Sequence, residues 1–426
     1  NVKFSSPLMS LSEIQKCLAN ERLKLLERVD VQDVYDLSDF QRLDLEKNRV
    51  TLFGHVNWAS SVSVSPDGKK VVAASWDTVL IWDVNTGELL HTLLGGGDLV
   101  SSASFSHDGK RLIASSWDNN ARIWNVDTGD LLLTLVGHND RVESASFSLD
   151  RKKVATSSDD HTVRIWDGET GFLIHTFEHF DRANSASFSP DGSRIVTTSN
   201  DTMTVRLWNG NTGELVSTLS KSANYASFSP NGKNILTTSP NNFAEIWDGN
   251  TGALVHTLSL YTLAASAAFS PDGTKVITAS AIYEASQIWN VETGEPIRGL
   301  SGYSGLASSA FFSSDGKKVI TLTHDCIARV WDVETGALIH ALSDSNHGIA
   351  SVSFSPDSSK VITTLFGEST PQIWNLKGVF RKYEAKKNLK ESTKMSRLRS
   401  RIYSLFLDFQ GLVKLSNSFF HASSEE

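Results

Sequence analysis

The sequence has few cysteines and no long apolar run. Its two cysteines, Cys17 and Cys326, stand far apart and form no CxxC pair, which excludes a disulfide framework and a structural zinc site. No uncharged apolar stretch reaches the roughly 18 residues that a membrane-spanning helix needs. We therefore expect an intracellular, cytoplasmic protein without a transmembrane segment. Because the chain begins at Asn1 and not at methionine, we also expect a processed or trimmed start.

Basic residues are scarce in the middle of the chain. Residues 49–376 hold 22 Lys and Arg against 34 Asp and Glu, whereas residues 377–426 hold 11 against 5. An acidic body is unfavourable for non-specific binding of nucleic acid, because phosphate contacts require clustered Lys and Arg. We therefore do not expect a nucleic-acid partner.

Proline is also rare, with 9 residues against 28 glycines and 11 tryptophans, and the tryptophans reveal a repeat. Eight of them recur at intervals of 39 to 43 residues, at positions 82, 124, 166, 208, 247, 289, 331 and 374. A turn of the Ser-x-Asp-Gly type precedes each by about sixteen residues, and alternating residues lie between the turns. Each repeat therefore predicts a four-stranded antiparallel meander, which is typical of a β-propeller blade.

One copy of the turn after the tryptophan, Asp127-Thr128-Gly129, has the sequence of the catalytic tripeptide of aspartic proteases. In the other copies Asn or Glu replaces the aspartate, while the glycine is constant in all seven turns that contain Thr-Gly. A position with positive φ requires glycine, whereas catalysis would require the carboxylate. We therefore interpret the tripeptide as a hairpin turn.

The third repeat, with Gly137-His138 followed by TSSDDHTVRIWD, resembles the WD-repeat β-propellers, and the resemblance covers about 330 residues. It implies a buried network of His, Ser or Thr, Asp and Trp in each complete blade. In the third blade these residues are His138, Thr156, Asp160 and Trp166. The first blade approaches the same pattern with a shorter turn, through His55, Ser75, Asp77 and Trp82. Four later blades lack much of it, and we expect them to depend on strand pairing and apolar packing.

The repeats predict an all-β, eight-bladed propeller. Seven units are complete, and the eighth ends after its third strand at Trp374, while Arg49 to Phe53 resembles an outer strand without a blade. We infer that this N-terminal strand completes the eighth blade and closes the ring; seven blades plus a stray unit is the alternative. The chain then divides into an N-terminal helical extension (1–48), the propeller (49–378) and a basic, amphipathic helical tail (379–426).

Several chemical motifs are better explained by structure than by catalysis or binding. A hydroxyl nucleophile needs exposure, so we interpret His138, Asp160 and Thr156 as a buried network and not as a catalytic triad. Gly95-Gly96-Gly97 lacks the Lys-Ser/Thr of a phosphate loop. Four histidines on outer strands are too far apart to share a metal: His91, His175, His256 and His340. We expect no catalytic site, cofactor or metal.

The loops on one rim of a propeller are where non-repeated residues accumulate. Here they carry aromatic residues with a few charged ones, the composition of protein-interaction hot spots. The candidate partner-binding residues are Trp58, Trp76, Trp117, Asp140, Arg141, Phe180, Arg182, Tyr261, Tyr283, Tyr303, His324 and Phe366.

The leading functional hypothesis is a non-enzymatic scaffold or adaptor that binds a protein or peptide partner on this rim. One alternative is a ubiquitin-ligase substrate receptor whose N-terminal helices bind the ligase adaptor, although residues 8–45 show no convincing F-box pattern. A propeller enzyme is a remote alternative, because the innermost strands are rich in small Ser and Ala.

The C-terminal segment has two further interpretations. Its helix docks on the propeller or on a partner, with an apolar stripe formed by Ile402, Leu405, Phe406, Phe409, Leu412 and Val413. Alternatively, the ten Lys and Arg between Lys377 and Arg401 contact an anionic membrane surface.

Overall fold

The computed structural model describes residues 49–52, 61–199, 204–220, 223, 225–239, 243–259, 264–280, 286–301, 307–343, 348–365 and 371–388. The chain divides into two compact units, Asn1–Asn48 and Arg49–Glu426, and all of the described residues belong to the second. The predicted N-terminal helical extension therefore lies outside the described residues.

The described residues form short strands that assemble into four-stranded antiparallel sheets. The first strand is β1 (Arg49–Thr51). Blade 1 is formed by β2 (Ser61–Val64), β3 (Lys70–Ala74), β4 (Thr78–Asp83) and β5 (Leu89–Leu94). Blade 2 is formed by β6 (Val100–Phe105), β7 (Arg111–Ser116), β8 (Asn120–Asn125) and β9 (Leu131–Val136). Blade 3 is formed by β10 (Val142–Phe147), β11 (Lys153–Ser158), β12 (Thr162–Asp167) and β13 (Leu173–Glu178). Blade 4 is formed by β14 (Ala183–Phe188), β15 (Arg194–Ser199), β16 (Val205–Asn209) and β17 (Leu215–Ser220).

The second half of the chain repeats this organisation. Blade 5 is formed by β18 (Tyr225–Phe228), β19 (Asn234–Ser239), β20 (Phe243–Asp248) and β21 (Leu254–Ser259). Blade 6 is formed by β22 (Ala264–Phe269), β23 (Lys275–Ser280), β24 (Ser286–Asn290) and β25 (Pro296–Leu300). Blade 7 is formed by β26 (Ala307–Phe312), β27 (Lys318–Thr323), β28 (Ala328–Asp332) and β29 (Leu338–Leu342). Blade 8 contains β30 (Ile349–Phe354), β31 (Lys360–Leu365) and β32 (Gln372–Asn375), and one helix, α1, spans 377–388.

Blade 8 is completed from the other end of the chain. Its strand order is β1-β32-β31-β30, and Val50 of β1 pairs with Ile373 of β32. The adjoining Leu52 is fully buried, and its N–H donates a 2.9 Å hydrogen bond to the carbonyl of Pro371. The prediction of an eight-bladed propeller closed by the N-terminal strand is confirmed, and the alternative of seven blades with a stray unit is wrong.

The core lies between neighbouring blades. The repeated tryptophan of one blade packs against the middle strands of the blade before it, as Trp124 does against Val72 and Ile81. At the closure, Trp82 of blade 1 packs with Ile362 of blade 8. Because each middle strand faces a neighbouring blade on both sides, its residues are nearly all apolar or small.

Polar contacts on the turn side also join the blades. The basic residue that begins a second strand reaches the Thr-Gly turn of the following blade, as where Lys70 Nζ lies 3.0 Å from Asp127 Oδ1. The same contact joins blade 8 to blade 1, since Lys360 Nζ donates to Asn85 Oδ1 at 2.9 Å.

Helix α1 lies on the Thr-Gly turn of blade 7. Lys387 Nζ is 2.7 Å from Glu334 Oε2 and 3.2 Å from Asp332 Oδ2, and the Tyr383 hydroxyl is 3.1 Å from Thr335 Oγ1. Burial opposes the charge of Lys387, but the two carboxylates raise the pKa of its ammonium group. The tail therefore begins with a helix docked by polar contacts. The predicted apolar stripe at 402–413 lies outside the described residues.

Candidate functional site

The third blade contains a buried chain of hydrogen bonds. His138 Nδ1 lies 2.8 Å from Asp160 Oδ2, His138 Nε2 lies 2.7 Å from Thr156 Oγ1, and Trp166 Nε1 donates to Thr156 Oγ1 at 2.8 Å. An ionised carboxylate only accepts, so Nδ1 of His138 carries a proton and donates to Asp160. Nε2 then accepts from the Thr156 hydroxyl, whose oxygen accepts from the indole.

This network is closed to a substrate. The side chain of His138 is only 1% exposed and Thr156 is fully buried. Burial would raise the pKa of Asp160, but hydrogen bonds from His138, Thr162 and the Asn139 N–H lower it. The carboxylate is thus held ionised by its structural partners, and the hydroxyl has no path to an acyl group.

The bond between Thr and Trp is more widespread than the complete network. The indole N–H donates to a second-strand threonine in five further blades, at 2.8 to 3.0 Å, in the pairs Trp208–Thr197, Trp247–Thr237, Trp289–Thr278, Trp331–Thr321 and Trp374–Thr363. Blades 4, 5, 6 and 8, which were expected to depend on strand pairing and apolar packing, therefore also keep a buried hydrogen bond between Thr and Trp.

The first blade differs from the predicted pattern in its register. Trp82 pairs with Val71, just as Trp166 pairs with Val154 in blade 3. The residue two positions further along β3 is Ala73, which occupies the place of Thr156. Ser75 and Asp77 lie beyond the strand, and the predicted His55 lies outside the described residues. The short turn of this blade shifts the hydroxyl along the chain.

Sequence reasoning missed an arginine on the third strand. Arg122 Nη2 lies 2.5 Å from Asp118 Oδ2, and its Nη1 donates to the carbonyl of Gly95 at 2.6 Å. In blade 7, Arg329 Nη2 lies 2.6 Å from Asp325 Oδ2. Blade 2 therefore fixes its Gly-rich loop with a guanidinium group where blade 3 uses His138. An Asp followed four residues later by Arg, two before the Trp, is the signal that could have revealed it.

Several candidate rim residues of blades 1 to 4 are connected by a series of contacts. We define the rim arc as Trp76, Trp117, Arg141, Asp159 and Arg182. The backbone carbonyl of Trp76 accepts from the backbone N–H of Val100 at 3.2 Å. The backbone N–H of Trp117 donates to the carbonyl of Leu99 at 2.9 Å. The loop before β6 thus connects the two tryptophans.

Charged groups continue the rim arc beyond the tryptophans. The Arg141 guanidinium stacks 4.1 Å from the centre of the Trp117 ring, and the Asp159 N–H donates to the carbonyl of Arg141 at 2.9 Å. Arg182 Nη1 lies 3.7 Å from Asp159 Oδ2. Trp76 keeps 58% of its surface exposed. The arrangement offers a partner one open indole, a stacked guanidinium and an ion pair on a rigid base.

The remaining candidate rim residues do not all join the rim arc. Asp140 lies beside Arg141, and Phe180, which is 80% exposed, faces the guanidinium of Arg206 at 5.5 Å. His324 is exposed on blade 7. Five others lie outside the described residues: Trp58, Tyr261, Tyr283, Tyr303 and Phe366.

The outer-strand histidines make contacts between blades. His91 Nε2 lies 3.1 Å from the carbonyl oxygen of Asp127, and His175 Nε2 lies 3.0 Å from that of Asn211. His256 Nε2 lies 2.8 Å from the carbonyl oxygen of Glu292. Burial lowers the pKa of the fourth, His340. The described part of the chain contains no group of three or more His, Cys, Asp or Glu placed to hold a metal. Nor does any helix there have the length and apolar character to cross a bilayer.

Comparisons with known proteins agree with this geometry. The family model described as "IFT122 first beta-propeller" matches residues 100–374, and the one described as "WD domain, G-beta repeat" matches residues 46–83. No curated protein sequence matches the chain significantly.

Solved structures resemble the chain in fold. The computationally designed Ika8 protein is 22% identical with a TM-score of 0.67, over 76% of this chain and 98% of that one. The C-terminal WD40 domain of Sif2 is 18% identical with a TM-score of 0.66, over 76% of this chain and 97% of that one.

Proposed function

Because the chain belongs to the WD-repeat β-propeller family, whose members are generally protein-interaction scaffolds, we propose that it is a non-enzymatic scaffold or adaptor that binds a protein or peptide on the rim arc. The observation that carries this proposal is the exposed indole of Trp76 beside the stacked pair of Trp117 and Arg141. Aromatic and arginine side chains on a rigid base form the anchors of protein interfaces. The catalytic alternative has little support, because the Asp-His-hydroxyl chain of blade 3 is buried.

The proposal is tested with Trp76→Ala and Trp117→Ala, and with Phe172→Ala as the matched control. Phe172 is 74% exposed but follows a Thr-Gly turn, away from the rim arc. We expect the two rim-arc variants to keep the thermal midpoint of the intact chain and to lose the proteins that it captures in affinity purification. Phe172→Ala should retain them. Unchanged capture by both rim-arc variants would show that the partner binds elsewhere.

Two finer proposals concern the remainder of the chain. A ligase-receptor role would depend on residues 1–48, and a membrane-surface role on the basic tail. Lys387, one of the ten basic residues in that tail, is already paired with Glu334 and Asp332. For the compartment we propose the cytoplasm, because the chain has only two cysteines.

A further inference from the structure

The innermost strands of the ring are almost without charge. In the described residues of β2, β6, β10, β14, β18, β22, β26 and β30, the side chains are small, aliphatic, aromatic or neutral polar, with Glu143 of β10 as the one ionisable acid or base other than Tyr225. At the position of Glu143, blade 2 has Ser101, blade 4 has Asn184 and blade 7 has Ser308. Glu143 is therefore not part of the repeat, and the fold does not require a carboxylate there.

The carboxylate of Glu143 has no partner among the described residues. It forms no hydrogen bond and no ion pair with them, and the side chain is half-buried beside the rim arc. Burial and the nearby charge of Asp159 raise its pKa, while Arg141 and Arg182 lower it by less. Both arginines are engaged elsewhere, one on the Trp117 ring and the other with Asp159.

Carboxylates lie along the rim arc. Asp140 and Glu143 lie beside Arg141, and Asp181 adjoins Arg182. Asp77 adjoins Trp76, and Asp98 lies in the loop before β6. The Trp117 ring already carries a guanidinium group on its face, whereas no cation of the described residues lies on the exposed Trp76 ring. An indole face attracts cations through its quadrupole, so the aromatic and the acidic groups favour the same charge.

We propose that the rim arc takes a lysine- or arginine-containing peptide segment of a partner protein, which lies across Trp76 and pairs one cationic side chain with Glu143. This inference rests on the proposed function and specifies the chemistry of the partner. Complementary charge at a rim increases the association rate and rejects partners of the wrong sign. The carboxylate of Glu143 offers one contact for a cationic side chain, and the exposed indole of Trp76 offers another.

The test uses the full chain and two fluorescein-labelled dodecapeptides. One peptide carries four Lys or Arg residues spaced by Gly and Ser, and the other carries Glu at the same four positions. Fluorescence anisotropy is measured for the intact chain, for Glu143→Gln and Trp76→Ala, and for Glu88→Gln. Glu88→Gln is the matched control, because it removes the same charge from an exposed turn of blade 1.

We expect the basic peptide to bind at least tenfold more tightly than the Glu peptide. Glu143→Gln and Trp76→Ala should each weaken binding of the basic peptide about fivefold or more, while Glu88→Gln should leave it nearly unchanged. Equal effects of Glu143→Gln and Glu88→Gln would overturn the inference, because binding would then follow net charge alone.

Other results separate the inference from the proposed function. Tighter binding of the Glu peptide, still dependent on Trp76, would overturn the inference and leave the scaffold function standing. Absence of binding by the basic peptide would overturn the inference as well. If a chain ending at residue 388 bound the basic peptide and the intact chain did not, the occupant would be this chain's own basic segment, and the partner proposal would be wrong.

Discussion

Thr156 has a different role from the threonines at the same position in other blades. Its hydroxyl joins two buried groups, His138 and Trp166, whereas the Thr363 hydroxyl in blade 8 bonds only to Trp374 among the described residues. A buried donor or acceptor that loses its partner costs about 1 to 3 kcal/mol. Two threonines in equivalent positions should therefore respond differently to the same substitution.

We predict that Thr156→Val lowers the free energy of unfolding by about 2 to 4 kcal/mol and Thr363→Val by about 1 to 2 kcal/mol. Valine matches the size of threonine, so the difference isolates the second hydrogen bond. Urea denaturation followed by tryptophan fluorescence measures both values. Equal losses would mean that His138 contributes nothing through Thr156.

At the residue scale, the sequence predicted which side chains lie together only where a blade carries the complete motif. The residues of the third blade lie together because four matching residue types at fixed spacing define the register. The motif did not reveal the Thr–Trp bonds of the later blades, since those blades lack the complete set of His, Asp, hydroxyl and Trp. Glu143 was missed because it lies within a strand of small residues and has no counterpart in the other blades. The sequence also does not show whether a charged side chain has a partner in the fold.

At the scale of an element, the hairpin turn between the first and second strands of a blade accepts residues other than glycine at its position of positive φ. Six turns of this type have Gly in the left-handed region, as at Gly273 with φ +69°, and two have Arg151 and Ser358 there, with φ values of +64° and +57°. Arg151 Nη1 lies 2.5 Å from Asp108 Oδ2, and Ser358 Oγ accepts from the Asp315 N–H at 3.3 Å. The repeat predicted a hairpin at these two positions although glycine is absent. In the structure, contacts to the preceding blade support the residue with positive φ.

The aspartate of this turn makes the ring sensitive to acid. Burial would raise the pKa of Asp272, but hydrogen bonds from Ser270 and from the Thr274 N–H lower it to about 2, below the ordinary value of about 3.9. The stabilisation is present above pH of about 4 and is lost as the pH falls through about 2. In blade 5, Asn231 accepts the same hydrogen bonds without a charge.

We predict that Asp272→Asn keeps the turn but lowers the thermal midpoint at pH 7, and that its difference from the unmodified chain shrinks toward pH 2. Thermal unfolding followed by circular dichroism between these pH values measures the difference. Asp130→Asn is the control, because the Asp130 side chain is exposed and makes no hydrogen bond to any described residue. A constant difference for Asp272→Asn would contradict the pH argument.

The whole ring depends on the junction between its two ends. Leu52 follows β1 and lies fully buried with Trp82 of blade 1 and Ile373 of blade 8. The repeat count predicted this junction. One outer strand at the N-terminus had no blade of its own, and the eighth blade lacked its fourth strand. A helical tail was predicted from residue 379, but the contacts of Lys387 that hold α1 on blade 7 were not, since they join segments that are distant in sequence.

We predict that Leu52→Ala lowers the free energy of unfolding by about 2 to 5 kcal/mol, through lost apolar burial and a cavity at the junction. Leu131→Ala, at a position that is 53% exposed on an outer strand, should cost less than about 0.5 kcal/mol. Urea titration compares the two variants. A small effect of Leu52→Ala would indicate that the ring remains stable without a tight junction.

The pairing of β1 with β32 also determines how the ring would respond to mechanical force. Arg49 pairs with Trp374 and Thr51 pairs with Gln372, so residue 49 and residue 375 leave the strand pair at the same end. Tension between these two points would separate the residue pairs one after another, as in opening a zipper, and would not load them all at once in shear. A pulling experiment with handles at residues 49 and 375 should therefore open blade 8 at low force, while the other seven blades remain folded.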